Sequence, residues 1–267
     1  MAATSAAPAA PPRVAGRRRF SIVPYLLILP HLLVFLVFIG WPFVFGLAIS
    51  LFQYDYHLPD RSTFVGFDNY LGLFNPQTPE YNMFWTAFVN TLEFVVMSVP
   101  LLVVIPLLLA VLLNTKVRGV NIFRGIYFAP WVLSVSVVGL LWWWIFQPIG
   151  GLINYYLKDL GLFAPQWLTT LPWAWITILV CTIWWTAGFN MIILLAALQD
   201  IPGYLYEAAA LDGATGPQQF RHITVPQIRP VIVFIIIISI IASFNLFGQP
   251  FLMTHGGPAQ GNGGGGR

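Results

Sequence analysis

The sequence predicts an all-α integral membrane protein, a bundle of kinked transmembrane helices. Three observations carry that expectation. Of 267 residues, 58% are hydrophobic. Only 8% are charged, where soluble domains hold about 25%, so a soluble fold of this length could not cover its apolar surface. The apolar residues also gather into five runs, each long enough for the ~20 residues that a helix needs to cross the hydrocarbon core. A single membrane domain is expected.

Taken in order, residues 1–19 are Ala/Pro-rich and carry Arg13, Arg17, Arg18 and Arg19. They read as a disordered basic arm. The arm has no apolar stretch of its own, and the first span, about 25–52, is too long for a cleaved leader, so it is expected to stay as a signal anchor. A mixed loop over 53–83 contains FVGFDNYLGLF. The second span is expected at about 84–113, the third at 123–146, the fourth at 173–198 and the fifth at 231–253. Pro30, Pro42, Pro100, Pro106 and Pro130 fall within or at the ends of spans, where neighbouring helices can satisfy the carbonyls they free. Residues 147–172 contain GGLINYYLKDLGLFAPQWL. In it, Asn154, Tyr155, Tyr156 and Leu157 read as a short interfacial helix. Trp142, Trp143, Trp144, Trp167, Trp173 and Trp175 form an expected outer aromatic belt. Residues 20–255 make up the membrane domain, 199–226 an inner loop, and 256–267 a Gly-rich tail with no packing capacity.

Charge sets the expected orientation. If the spans alternate, Arg13, Arg17, Arg18, Arg19, Lys116, Arg118, Arg124, Arg221 and Arg229 share one side, and only Arg61, Lys158 and Arg267 lie on the other. The positive-inside rule places the N-terminus and the 199–226 loop in the cytoplasm. A net charge of +3 points to no nucleic-acid partner. Cys181 is the single cysteine, so no internal disulfide forms. His31, His57, His222 and His255 are scattered, which predicts no metal site. No G-x-x-x-x-G-K-[ST] run occurs, so no nucleotide site of that kind is expected in this chain.

The 199–226 loop is punctuated. Asp200 followed by Pro202 reads as a helix start. YLYEAAALD favours a short helix, and Gly213 suits a left-handed C-cap. Thr215 with Gln218 matches a capping box, and Pro217 suits a first turn. A second short helix is therefore expected from about Gly216, ending before Pro226. Ala208, Ala209 and Ala210 leave room for another backbone, Glu207 and Asp212 offer charge at the rim, and Phe220 and Ile223 can anchor the loop to the bundle.

Polar residues inside spans are few. Glu93 is the acid deep in a span. A charge at the bilayer centre costs roughly 2.5–3.5 kcal/mol on insertion scales, so it is expected to face the interior or carry a proton, held by a structural hydrogen bond. Asn245, and secondarily Asn190, should also face inward, since an unpaired amide in lipid is costly.

The residues then carry a resemblance. Glu207-Ala208-Ala209, three residues, Gly213, nine residues, and Ile223-Thr224-Val225-Pro226 resemble the EAA signature loop of binding-protein-dependent ABC importer permeases, with Val225 in place of Leu. The longer run LQDIPGYLYEAAALDGATGPQQFRHITVPQIRP is similar to the carbohydrate-uptake branch, of maltose/glycerol-3-phosphate type. FVGFDNY, NTLEF, GGLINYYLKDLGL and FLMTHGGPA agree with it, so the resemblance runs from about residue 20 onward. It implies a type I ABC importer permease bundle. It also implies one further span after GGPA; this sequence stops at Arg267, so five spans of an expected six are read and the final helix is expected to be missing.

The resemblance implies a chain that forms half of a translocation pathway for a sugar or polyol phosphate in a bacterial or archaeal plasma membrane. The implied partners are a second permease in a heterodimer, a cytoplasmic ATPase dimer that binds ATP and Mg, and an extracytoplasmic solute-binding protein. Membrane lipid would surround the bundle. Glu207, Ala208, Ala209, Gly213, Ile223 and Pro226 would form the ATPase-coupling loop. By similarity to the maltose-type permease, Thr182, Trp185, Thr186, Phe189, Phe244 and Asn245 would line the substrate pathway, with Asn190 a secondary candidate for it. Two other readings stay open. An ion-coupled secondary transporter would need inverted repeats and ionisable residues at mid-membrane. A non-transporting scaffold would need neither Asn245 nor an ordered loop.

Overall fold

The computed structural model describes residues 22–114 and 119–256. The expected basic arm, Lys116, Arg118 and nearly all of the Gly-rich tail lie outside them. The chain divides into two compact units, residues 1–84 and 85–267.

In the first unit, α1 (Val23–Phe35) runs through a π-helical turn (Leu36–Gly40) into α2 (Trp41–Ile49). The 27 residues are long and apolar enough to cross a membrane. The widened turn has a physical cause. Trp41 N–H reaches back five residues to the Leu36 carbonyl, and Pro42 follows, whose ring would crowd the carbonyl four residues before it in a regular helix. Beyond α2, β1 (Phe52–Gln53) pairs antiparallel with β2 (Thr63–Phe64), Phe52 opposite Phe64. Short α3 (Asp68–Gly72) is tied to this hairpin by Asn69, whose Nδ2 donates to the carbonyls of Ser50 (2.8 Å) and Phe52 (3.0 Å). The FDNY run is thus a brace for the hairpin.

α4 (Pro79–Leu113), at 35 residues, enters the second unit at Trp85. There follow α5 (Val120–Val132), α6 (Val135–Ile145), α7 (Leu152–Asp159), α8 (Trp173–Gln199), α9 (Gly203–Leu211), α10 (Gly216–Gln219), a second π-turn (Phe220–Thr224), α11 (Val225–Phe244) and α12 (Gly248–Thr254). Among the described residues, four helical runs are long and apolar enough to span, and a fifth if a bent pair counts as one.

Three expectations about the elements need correction. The third span is not continuous: α5 and α6 meet at 98°. Leu133 and Ser134 are extended there, and Ser134 Oγ accepts from Val137 N–H to restart the helix. The fifth span ends at Phe244, not 253. The chain breaks over 245–247, and α12 packs back on α6 and α8. At its other end, the second short loop helix does not stop before Pro226. α10, the π-turn and α11 form one run of 29 residues from Gly216 to Phe244. Val225 N–H bonds to the Phe220 carbonyl, five residues back, so the helix widens just ahead of Pro226 as it does ahead of Pro42.

The core has two parts strung along α8. At the α9 end, Met191, Leu194, Leu195 and Leu198 pack with Val103, Ala110 and Leu113 of α4 and Ile228 and Ile235 of α11. At the other end, Cys181 packs with Val138, Phe146, Leu168 and Met253. α5 lies close on α8 because residue 188 is glycine: a Cβ there would overlap the Tyr127 carbonyl. The aromatic belt is also corrected in part. Trp142 stacks on Phe146, and Phe146, Trp167 and Trp173 form a chain of ring contacts 4.9 to 5.3 Å apart. These rings pack on one another, and Trp144 is exposed. Asn154 of α7 is buried. It accepts from Trp167 Nε1 at 2.8 Å and donates to the carbonyls of Pro148 and Pro165.

Candidate functional site

Between the two core clusters, α8 presents Thr182, Trp185, Thr186, Phe189 and Asn190 at positions i, i+3, i+4, i+7 and i+8, one face of a helix. That face borders a cavity of about 510 Å³, within the range of small-molecule sites, ~300–1,000 Å³. α11 closes it with Ser239, Ala242 and Ser243, and the chain break with Asn245, Leu246 and Phe247. Trp131, Val135, Leu102 and Gln249 complete the wall. The α5–α6 bend is what brings Trp131 and Val135 here.

Three aromatic rings form one side. Trp131 stacks on Phe189 with centroids 4.6 Å apart, and Trp185 lies 6.0 Å from Trp131. Trp185 Nε1 donates to the Leu133 carbonyl at 3.2 Å, an acceptor left over where α5 ends. The polar groups divide into those that hold the bundle and those left free. Asn190 Nδ2 donates to the Leu102 carbonyl at 2.9 Å. In a regular helix that carbonyl would accept from residue 106, which is proline and has no N–H. Asn190 is thus a substitute donor. Ser98 and Ser243 hydroxyls bond at 3.0 Å across α4 and α11. Thr182 bonds back to the Ile178 carbonyl, and Asn245 Nδ2 caps the Ile241 carbonyl at 2.8 Å.

Ser239 and Gln249 differ. They are 3% and 4% exposed, and neither side chain has a hydrogen-bond partner among the described residues. The side-chain polar atoms sealed off without a partner there are Arg124 Nε and Trp142 Nε1, so the Ser239 hydroxyl and Gln249 amide open onto the cavity. Among the described residues, no charged side chain lines it.

Six of the seven pathway residues expected from the sequence therefore meet. The seventh, Phe244, does not: it is 47% exposed, about 100° around α11 from Ser243. Ser239, Ser243, Trp131 and Gln249 were not anticipated. The serines had a signal, since they stand four apart in the Ile-rich run IIIISIIASF. Glu93 is also corrected: it is exposed on α4, with no hydrogen bond or ion pair among the described residues.

At the other end of α11, α9 and α10 make a compact turn. Gly213 has φ +80. Its N–H bonds to the Ala210 carbonyl and the Ala214 N–H to that of Ala209, the two bonds of a Schellman C-cap. Thr215 and Gln218 form the expected capping box, with Gln218 Oε1 accepting from Thr215 N–H at 2.7 Å. Asp200 does not start α9. It ends α8, and Pro202 holds the N-cap position of α9. Tyr206 and Thr224 hydroxyls, 2.9 Å apart, tie α9 to the π-turn. Ala209, Gly213 and Ile223 line a cleft of about 360 Å³. Glu207, Ala208 and Pro226 lie outside it, exposed.

Residues 80–257 match the family model of the binding-protein-dependent transport system inner membrane component. The arabinooligosaccharides transport system permease protein AraP of Bacillus subtilis is 36% identical over 232 residues, covering 86% of this chain and 71% of that one. The solved structure of a bacterial ABC transporter involved in import of the acidic polysaccharide alginate is similar, with TM-score 0.74 and 29% identity, covering 86% of this chain and 77% of that one. A second, of a bacterial alginate ABC transporter in complex with an alginate pentasaccharide-bound periplasmic protein, has TM-score 0.68 and 31% identity, covering 81% and 70%.

Proposed function

The chain belongs to the family of binding-protein-dependent transport system inner membrane components, and on that premise we propose that it is a permease subunit of an ATP-driven importer of neutral sugars. The observation that carries the sugar reading is the cavity wall. Flat aromatic faces at Trp131, Trp185 and Phe189 suit the apolar faces of sugar rings, and the free groups of Ser239 and Gln249 can exchange hydrogen bonds with hydroxyls. Among the described residues the lining has no Lys or Arg, so a polyol phosphate would enter without a countercharge from them. Neutral sugar is therefore preferred.

In this reading the chain forms half of the pathway with a second permease. A solute-binding protein delivers the sugar from outside, and the ATP and Mg are held by a cytoplasmic ATPase dimer. The α9–α10 turn docks on the ATPase, with Glu207 as a rim contact and Ala208, Ala209 and Gly213 permitting close approach. The N-terminus lies in the cytoplasm of a bacterial or archaeal cell. Motion of the turn reaches the cavity directly, because α10 and α11 form one rod that carries Ser239 and Ser243.

The test uses membrane vesicles holding the chain with its second permease, ATPase and binding protein. ATP should drive uptake of a labelled neutral oligosaccharide. Ser239→Leu with Gln249→Leu should cut it about tenfold or more while the complex is still recovered. Glu207→Arg and Gly213→Trp should lose the ATPase subunit on purification. Uptake driven by an ion gradient without ATP, or indifferent to the cavity substitutions, would overturn the proposal.

A further inference from the structure

We propose that the loop of the β1–β2 hairpin holds a second saccharide site, built from residues other than those of the α8 cavity, which receives a neutral sugar on the side of the membrane opposite the N-terminus. The inference rests on the reading that this chain imports neutral sugars.

Gln53, Tyr54, Tyr56, His57, Arg61 and Thr63 surround a hollow of about 490 Å³, within the ~300–1,000 Å³ of small-molecule sites. Strand register sets its face. Gln53 pairs with Thr63 and Phe52 with Phe64, and successive residues of a strand point to opposite faces. The Phe52 and Phe64 rings meet on the other face, 5.2 Å apart. Asp55 also lines the hollow and shapes its loop. Its N–H donates to Ser62 Oγ at 3.1 Å, and its Oδ1 accepts from the N–H groups of His57 (2.8 Å) and Leu58 (3.2 Å). The loop is thus ordered before a ligand arrives, which lowers the entropy cost of binding. Tyr54 is anchored edge-on to Phe45 of α2 at 6.4 Å, and Tyr56 meets Tyr54 at 5.0 Å and 86°. Tyr56 is left 78% exposed, a ring held in place by its neighbour with most of its surface open.

Chemistry decides the ligand. The side chains of Gln53, Tyr54, Tyr56, His57, Arg61 and Thr63 have no hydrogen-bond or ion-pair partner among the described residues. An amide, two phenols, an imidazole, a guanidinium and a hydroxyl are therefore free to bond a ligand. Asp55 Oδ2, which takes no part in the turn bonds, adds an acceptor. A flat ring beside several donors and acceptors suits a sugar, the ring taking its C–H face and the polar groups its hydroxyls. An anion fits less well, since it would gain Arg61 and meet the Asp55 carboxylate. A neutral polyhydroxylated ring meets no such conflict.

The test uses vesicles holding the chain with its second permease and ATPase, without the binding protein. The probe is the neutral oligosaccharide that ATP drives into vesicles of the full complex, carrying a diazirine, with crosslinks mapped by mass spectrometry. Residues 53–63 should be labelled, and excess untagged sugar should abolish that labelling. Tyr56→Ala with Arg61→Ala should cut it about tenfold, while Tyr56→Trp and Phe64→Ala should hold it within about threefold. These positions are exposed, so recovery of the complex should not change. Ser239→Leu with Gln249→Leu should lose uptake and keep the hairpin labelling. Labelling that untagged sugar does not compete, that survives Tyr56→Ala with Arg61→Ala, that vanishes with the cavity pair or that needs the binding protein would overturn the proposal. If uptake is normal and residues 53–63 stay unlabelled, the hairpin site falls and the proposed function stands. If no neutral oligosaccharide is taken up, both fall.

Discussion

Asn190 offers the sharpest test of how this bundle is held. Its amide donates to the Leu102 carbonyl at 2.9 Å, and the residue is 1% exposed. The carbonyl needs that donor because residue 106 is proline. Asn190→Leu keeps the volume and removes the donor, leaving a buried acceptor without a partner. Such a group costs ~1–3 kcal/mol, while side-chain hydrogen bonds between membrane helices reach ~1.7 kcal/mol at most in double-mutant cycles. The expected loss is thus about 1–2 kcal/mol. The decisive measurement is a cycle with Pro106→Ala, by reversible unfolding in mixed micelles. Alanine at 106 has an N–H that can close the regular helical bond to Leu102, so Asn190→Leu should cost clearly less in that background. Equal costs in both backgrounds, within ~0.5 kcal/mol, would refute the substitute-donor account.

Three further outcomes are expected. Gly188→Leu should weaken the α5–α8 contact by ~1–3 kcal/mol or more, because its side chain meets backbone at Tyr127; a thermal midpoint within ~2 °C of wild type would contradict that packing. Gly213→Val forces a branched side chain to φ +80 at ~1–2 kcal/mol, so amide exchange at Ala214 should speed up, and unchanged protection would count against the strain. Cys181 is 0% exposed, so a membrane-permeant maleimide should label it only after unfolding; rapid labelling of the native protein would show that the core at Met253 and Val138 is open.

What the sequence made legible follows from which forces are local. The presence of long apolar helices, the Gly213 cap and the Thr215–Gln218 box depend on neighbours in the chain and can be read there, whereas where the second, third and fifth spans begin, bend or end cannot. The face of α8 from Thr182 to Asn190 emerges from spacing within one helix. The break at Ser134 is only partly local: Pro130 and the Ser134 cap stand in the sequence, but 123–146 is otherwise mostly apolar and the two halves of the bend are held by α8 and α12 packing from elsewhere. Pro226 misleads for a related reason: proline stops a regular helix, but a π-turn ahead of it removes the conflict, and no residue type announces such a turn. Phe244 was placed by analogy with a relative, while the Ser239–Ser243 spacing pointed to the face the helix presents.

The π-turn at Phe220–Thr224 also fixes a phase. Each residue of an α-helix turns its successors by ~100°, and the π-turn stores one residue more than a regular turn would. Closing the same residues into plain α-helix would swing Ser239 and Ser243 about a quarter-turn relative to Gly213 and the α9 face, whereas deleting one residue inside the turn would let the rod close with its phase nearly kept. The two ends of the rod are therefore bound by a count as well as by chemistry. Substitutions along it can be conservative in every contact, yet an insertion or deletion of one residue in the regular helix between the π-turn and Ser239 would aim the cavity wall at the wrong neighbour.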